Sequence, residues 1–367
     1  MSTSLEQLRT TLAEVVDPNT NTKLGVLSEN SILQLDNNAL SLTLALDYPL
    51  HNGLEQLRKN IETAVTGQGA QLAKLDFTSK IVSHAVQRGL RPHASIHNIV
   101  AVASGKGGVG KSTVAVNVAL ALQAQGASVG LLDADIYGPS VPIMLGVSGK
   151  PPSLDGKTME PLVGHGLQTN SIGYLLDDNA PAIWRGPMVS QALEQLLRQT
   201  NWKNLDYLIV DMPPGTGDIA LTLAQKVPLA GAIIVTTPQD LALADARKGL
   251  RMFQKVEVPV LGIVENMSVH ICTNCGHAEP IFGENGGRDM AAEYNVPWLG
   301  SLPLAMNIRT ETDSGTPTVI AEPDSKIAGL YHDIAWNMAI QVAKLPPDTS
   351  GPAPKVVARQ ATVVARR

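Results

Sequence analysis

Every second position from 40 to 46 is leucine, with Ser41, Thr43 and Ala45 between, the period of a strand that turns one face to a core. Past Pro49 and Gly53 the period lengthens, and Leu54, Leu57, Ile61 and Val65 recur at helical spacing. A polar turn, Asp17-Pro18-Asn19-Thr20, separates a first helix from the strands. Residues 1–77 therefore read as a small α/β unit, a binding or docking module. Residues 78–97 hold Lys80, His84, Arg88, Arg91, His93 and His97 around Gly89 and Pro92 without an apolar period, and read as a linker with solvated histidines. From residue 98 short apolar runs over 99–103, 129–132, 207–210, 232–235 and 260–264 alternate with helical patterns. That alternation predicts an α/β fold, a mostly parallel sheet covered on both faces, in a domain spanning 98–345 that closes with a helix over 324–343. Prolines at 346, 347, 352 and 354 then break the period, and 346–367 reads as a disordered tail, basic at its end.

Composition narrows the setting. A chain of 367 residues, 44% hydrophobic, can bury more than one core. No apolar run approaches the roughly 18 residues of a membrane span, and Met1-Ser-Thr-Ser-Leu-Glu6 lacks the basic-then-apolar order of a secretory signal. A cytoplasmic protein without stable membrane association is expected. A net charge of −5 argues against a broad face for nucleic acid.

The strongest chemical signal is Ser104-Gly-Lys-Gly-Gly-Val-Gly-Lys-Ser-Thr113, set between a predicted strand and a predicted helix. Gly105, Gly107, Gly108 and Gly110 let backbone N–H groups turn inward around phosphate, Lys111 reaches the β/γ-phosphates, and Ser112 can hold magnesium. Gly105, Gly107 and Gly110 with Asp133 also fit a dinucleotide pattern. That reading leaves Lys111, Ser112 and Asp211, an acid closing an apolar strand, without a task. A nucleoside triphosphate is the expected ligand. Asp133 and Asp135 alternate at a strand end, so one can join the magnesium shell through water while the other orients the attacking water. Asp211-Met-Pro-Pro-Gly-Thr-Gly-Asp218 joins the second acid to a loop able to respond to the γ-phosphate. Lys106, a second lysine in the loop, requires an anionic partner of its own, and a phosphate bound to a facing subunit would serve.

The chain has two cysteines, Cys272 and Cys275. One Cys-x-x-Cys pair supplies half of a four-ligand site, so a Cys₄ iron-sulfur centre requires two chains. Zinc held by Cys272, Cys275, His270 and His277, and a redox dithiol, are the other readings that the chemistry leaves open.

The phosphate loop with its additional lysine resembles that of the MinD/ParA/nitrogenase-iron-protein ATPases, dimers in which that lysine crosses the interface. Within that group, Asp133-Ala-Asp135-Ile-Tyr-Gly-Pro-Ser140, Trp184-Arg-Gly-Pro187, Asp211 to Asp218, and Glu265-Asn-Met-Ser268 ahead of Cys272-Thr-Asn-Cys275 resemble the Mrp/ApbC-type iron-sulfur cluster carriers. Residues 12–24 resemble, less closely, the MIP-type small domain that precedes the ATPase in bacterial and organellar members. The resemblance implies an ATP hydrolase, slow and regulatory, using ATP, Mg²⁺ and a 4Fe-4S cluster bridged by Cys272 and Cys275 of a homodimer. Its partners would be apo iron-sulfur proteins and cluster assembly factors. It implies that Gly105, Lys106, Gly107, Gly108, Val109, Gly110, Lys111, Ser112 and Thr113 hold the nucleotide and Asn266 touches adenine. Lys106 would act across the dimer and Asp135 would position water, with Ser112, Asp133 and Asp211 around magnesium. The additional amino-terminal cysteine cluster of cytosolic eukaryotic relatives is absent, so the chain resembles the simpler homodimeric type. A positioning or partition ATPase of the MinD/ParA kind is the alternative. The tail shows no apolar stripe for it, and it gives the cysteines no task. A metal-binding scaffold with a degenerate nucleotide site is disfavoured by the intact Lys111, Ser112, Asp135 and Asp211.

Overall fold

The computed structural model describes residues 4–25, 31–175 and 186–349. In its amino-terminal unit β1 (Ile32–Asp36) pairs antiparallel with β2 (Ala39–Leu46), which pairs parallel with β3 (Gln71–Ser79). The alternation along β2 has its expected consequence: Leu40, Leu42, Leu44 and Leu46 are all buried. Helices α1 (Leu5–Ala13) and α2 (Glu55–Gly67) complete that core with Leu8, Leu12, Leu57, Ile61 and Val65. The Asp17 turn is satisfied internally, since the Tyr48 hydroxyl donates to Asp17 Oδ2 at 2.7 Å and Asn19 donates to Gly53 O at 3.2 Å.

The larger sheet contains β4 (Ile96–Ser104), β5 (Val129–Asp133), β6 (Leu162–Gly164), β7 (Leu167–Ser171), β8 (Leu205–Asp211), β9 (Gly231–Thr236), β10 (Val260–Glu265) and β11 (Trp298–Ser301), in the order β11-β10-β9-β4-β8-β5-β7-β6. All neighbours are parallel except β6 and β7. One face is covered by α3 (Lys111–Ala124), itself backed by the terminal helix, and the other by α4 (Gly186–Arg198), α5 (Asp218–Lys226), α6 (Asp240–Lys255) and α7 (Gly286–Glu293). Because α3 lies between the sheet and the terminal helix α8 (Lys326–Ala343), it is apolar on nearly every side, as a fully enclosed helix must be. Among the described residues no helix is long and apolar enough to cross a membrane.

The segment expected to be a solvated linker is instead a strap tied into both units. His84 is buried, with Nδ1 2.9 Å from Asn98 Oδ1 and Nε2 3.1 Å from Asp47 Oδ2. Gln87, also buried, donates to Ala224 O and accepts from Leu229 N–H. These are hydrogen bonds between residues far apart in sequence, which no apolar period can announce. His93 and His97 do remain partly exposed. The first residues expected in the tail pair with the strap too: Ala85 N–H donates to Pro346 O and Asp348 N–H to Ser83 O. Residues 350–367 lie outside the described residues.

The small unit also packs on α8. Trp336 stands edge-on to Tyr48 with ring centroids 6.3 Å apart and donates to Pro49 O, while His51 pairs with Asp333 at 2.9 Å. Burial and the neighbouring His51 hold His332 below the ordinary histidine value of 6.5, with Asp333 acting in the opposite sense. Just below that value the unfolded chain carries the extra proton, so acidification withdraws stability. The melting temperature is expected to fall between about pH 7 and about pH 5.5 by more in the wild type than in His332→Gln. Parallel pH profiles of the two melting curves would exclude this histidine as a source of acid sensitivity.

Candidate nucleotide site and cysteine hairpin

The phosphate loop leaves the carboxyl end of β4, the strand between β9 and β8, where the connections diverge to the two halves of the sheet. Two of its glycines are required by the surroundings. At Gly105 a Cβ would stand 2.1 Å from the Asp245 carbonyl carbon, so only a bare backbone can pass α6. At Gly110, with φ +79°, it would meet Asn266 Nδ2 at 2.2 Å. The loop encloses a cavity of about 200 Å³ lined by Lys106, Gly107, Gly108, Lys111, Ser112 and Asp135, among others. Lys106 is half-buried there, and Gly107 and Gly108 have open space before them.

Lys111 is 6% exposed and donates to Asp211 Oδ1 at 2.6 Å; its ammonium is also 3.2 Å from Ser112 Oγ and 4.0 Å from Asp135 Oδ2. The other oxygen of Asp211, Oδ2, is buried without a hydrogen-bond partner among the described residues. An orphan carboxylate oxygen beside Ser112 and Asp135 fits a magnesium shell, because a cation or its waters would satisfy it. Asp133 lies opposite Asp211 in the neighbouring strand. Burial, then the charge of Asp211, push its carboxyl up to about 7, against N–H donors from Asp135 and Val141 and the hydroxyl of Ser171. The N–H groups of Asp135, Ser140 and Val141 anchor the loop after β5 to the strand end, and the Ser171 hydroxyl donates from β7. Asp135 is raised chiefly by burial, with Lys111 opposing. Gly215 N–H donates to Ser104 O at 2.9 Å, tying the Asp211 to Asp218 loop to the phosphate loop. Thr216 and Asp218 are exposed. Asn266 is buried behind the phosphate loop, where it donates to Val109 O at 2.9 Å and accepts from Met267 N–H.

Cys272 and Cys275 sit apart from this cavity on a hairpin that follows β10, closed by pairing of His270–Ile271 with Ala278–Glu279. Two backbone bonds close the turn: Cys272 N–H donates to His277 O and Gly276 N–H to Cys272 O. Cys272 is half-buried and Cys275 exposed. The N–H of Cys275, that of Asn274 and the Cys275 thiol point at the Cys272 sulfur and hold its thiol below the usual range, the condition of a metal-binding thiolate. Among the described residues no three His, Cys, Asp or Glu side chains gather as a metal site, so the Cys₂His₂ set is not assembled.

The family described as ParA: NUBPL iron-transfer P-loop NTPase matches residues 95–339. The chain belongs to that family. An iron-sulfur cluster carrier protein of Pseudomonas fragi is 59% identical over 269 residues, 73% of this chain and 94% of the relative. That of Escherichia coli strain K12 is 50% identical over 339 residues, 90% of each. The solved nucleotide-binding protein of Archaeoglobus fulgidus in complex with ADP, with cobalt, is 37% identical and superposes with a TM-score of 0.56 over 63% of this chain and 90% of its own. The family match over residues 95–339 spans the phosphate loop, Asp133, Asp135, Asp211 and the cysteine hairpin.

Two buried residues beside these segments of the iron-transfer NTPase fold escape sequence reading. Ser171 faces Asp133 because β5 and β7 are in register there, yet Leu167-Gln-Thr-Asn-Ser171 is too polar to announce a buried strand. Glu265, 3% exposed, precedes Asn266 and caps α7 through the Gly287 N–H. Its place in the Glu265 to Ser268 motif was the available signal. Trp184 and Arg185 lie outside the described residues.

Proposed function

We propose that the chain is an ATP-binding and hydrolysing carrier that takes up a 4Fe-4S cluster between two copies of itself and delivers it to apo-proteins in the cytoplasm. The hairpin carries this reading. It presents two adjacent sulfurs, one with its thiol held below the usual range, with no third ligand gathered beside them among the described residues. A second copy related by symmetry supplies the other two. Exposed Tyr137, Leu241 and Met306, at 63%, 77% and 62%, follow strand ends on the same edge of the sheet and suit such contact.

In the nucleotide site the backbone N–H groups around Gly107 and Gly108 receive phosphate, and Lys111 sits beside it. Ser112, Asp133 and Asp211, whose Oδ2 has no hydrogen-bond partner among the described residues, would hold magnesium, and Asp135 would orient the attacking water. Bound magnesium would neutralise phosphate charge. Lys106, with no ion-pair partner among the described residues, reaches phosphate on the partner copy. Hydrolysis serves regulation, and its rate is slow.

Anaerobic reconstitution with ferrous iron and sulfide tests the reading. The product is expected to hold about four iron and four sulfide per dimer, at twice the 38.8 kDa of one chain. It should yield the cluster to an apo-acceptor at a rate that depends on ATP. Purified protein carrying zinc and refusing iron, or a loaded monomer, would overturn it.

A further inference from the structure

Glu265 and Asn266 end one strand, and their side chains grip different parts of the molecule. Asn266 holds the phosphate loop through Val109 O. Glu265 holds the first turn of α7 through the Gly287 N–H at 2.5 Å. The cysteine hairpin is the chain between these two grips, leaving the strand at Met267 and returning at α7.

Both roots of the hairpin are narrowly set. At the entrance Met267 adopts φ +56°, a left-handed conformation that a non-glycine residue keeps only when its surroundings impose it, and its N–H donates to Asn266 Oδ1. Ser268 N–H then donates to Leu302 O and Leu304 N–H to Val269 O. At the exit, a Cβ on Gly287 would stand 3.0 Å from Glu265 Cβ and 3.1 Å from its Oε2, tighter than ordinary contact, so a side chain there would press α7 away from the carboxylate by a few tenths of an ångström. Between hairpin and helix lies a cavity of about 410 Å³, lined by Glu265, Ser268, Pro280, Glu284, Arg288 and Trp298 among others. The hairpin is thus governed by its roots more than by solid packing beneath it.

We infer that Glu265 is a positioning residue that passes the state of the nucleotide site to the cysteine hairpin. A shift of the phosphate loop moves Asn266, and Glu265, the adjacent residue, carries that shift to α7 and so to the other root. Entrance and exit of the hairpin then move together. Burial raises the Glu265 carboxyl above its ordinary range and the Gly287 N–H opposes this, so the grip strengthens the charged form that makes it. A cap with no further role would add stability without altering any response to nucleotide. The inference rests on the nucleotide-gated carrier reading above.

The test compares wild type, Glu265→Ala, Glu265→Gln and Gly287→Ala. Hydrogen exchange of residues 267–287 is followed with and without Mg²⁺ and ATP, which requires no cluster. The rate at which a ferrous chelator strips iron from reconstituted protein is followed alongside. In wild type ATP is expected to change hairpin exchange and to alter iron stripping by about fivefold or more. Glu265→Ala should keep its iron content and the protection that ATP gives the phosphate loop, yet lose both hairpin responses. Glu265→Gln, which retains an acceptor for the Gly287 N–H, should keep most of them. If Glu265→Ala fails to fold, Gly287→Ala, which leaves the carboxylate but displaces α7, should show the same loss. A wild type whose hairpin ignores ATP, or a variant set that responds as wild type does, overturns the relay. Failure to load iron overturns the carrier reading instead, and the exchange comparison still decides the relay.

Discussion

Replacing Lys111 by alanine is expected to remove nucleotide hydrolysis and to destabilise the fold at the same time. Its ammonium is almost fully buried and lies 2.6 Å from an oxygen of Asp211, which is wholly buried. Truncation leaves that carboxylate uncompensated, with Asp133 in register on the next strand. Removing one partner of a buried pair costs about 3–5 kcal/mol, far more than the pair contributes relative to an apolar substitute. If Lys111 meets the transferring phosphate as proposed, loss of its charge should lower the hydrolysis rate by at least about 10²-fold. The two effects separate in the double variant Lys111→Ala/Asp211→Asn. Neutralising the stranded acid should restore much of the stability and none of the hydrolysis. Urea unfolding and phosphate release on the three proteins measure both. A single variant that unfolds at the wild-type urea concentration would show that the contact contributes nothing to stability.

The two units and most of the larger sheet were legible because their burial is extreme. Strands enclosed on both faces, such as β4 and β9, must be continuous apolar runs, and β2 must alternate because only one of its faces meets helices. Where burial is achieved by hydrogen bonding, the signal disappears. Thr169, Asn170 and Ser171 are fully buried on β7, yet their polarity disguises the strand that delivers a donor to Asp133. His84 and Gln87 likewise look like linker residues until Asp47, Asn98 and Leu229 come into reach. The place of the phosphate loop was readable because its motif occupies contiguous positions, and β4 does precede it and α3 follow it. Lys111, Asp135 and Asp211, drawn from three distant segments, meet as the strand ends require. Asn266 was assigned to the base by resemblance, whereas its amide is found against Val109 O. That contact depends on the neighbouring strand's end and has no sequence signature.

Replacing Cys275 by serine is expected to abolish cluster loading while leaving the fold intact. The side chain is exposed, and the turn around it is held by the bonds from Cys272 N–H to His277 O and from Gly276 N–H to Cys272 O, which the substitution does not touch. The melting temperature should therefore match that of wild type. Each chain would keep one sulfur, so a dimer would offer two ligands where a cubane cluster uses four. Iron after reconstitution should drop to background, and the iron-dependent increase in mass should vanish with it. Thiol chemistry gives an independent check on the geometry. With its thiol lowered by the N–H groups of Cys275 and Asn274 and by the Cys275 thiol, Cys272 should be alkylated faster than Cys275 in metal-free wild type near pH 7. In Cys275→Ser the two backbone donors remain, so Cys272 should stay reactive while iron no longer binds. Persistence of about four iron per dimer in the variant would place the cluster on other ligands, and the carrier assignment of this hairpin would fall.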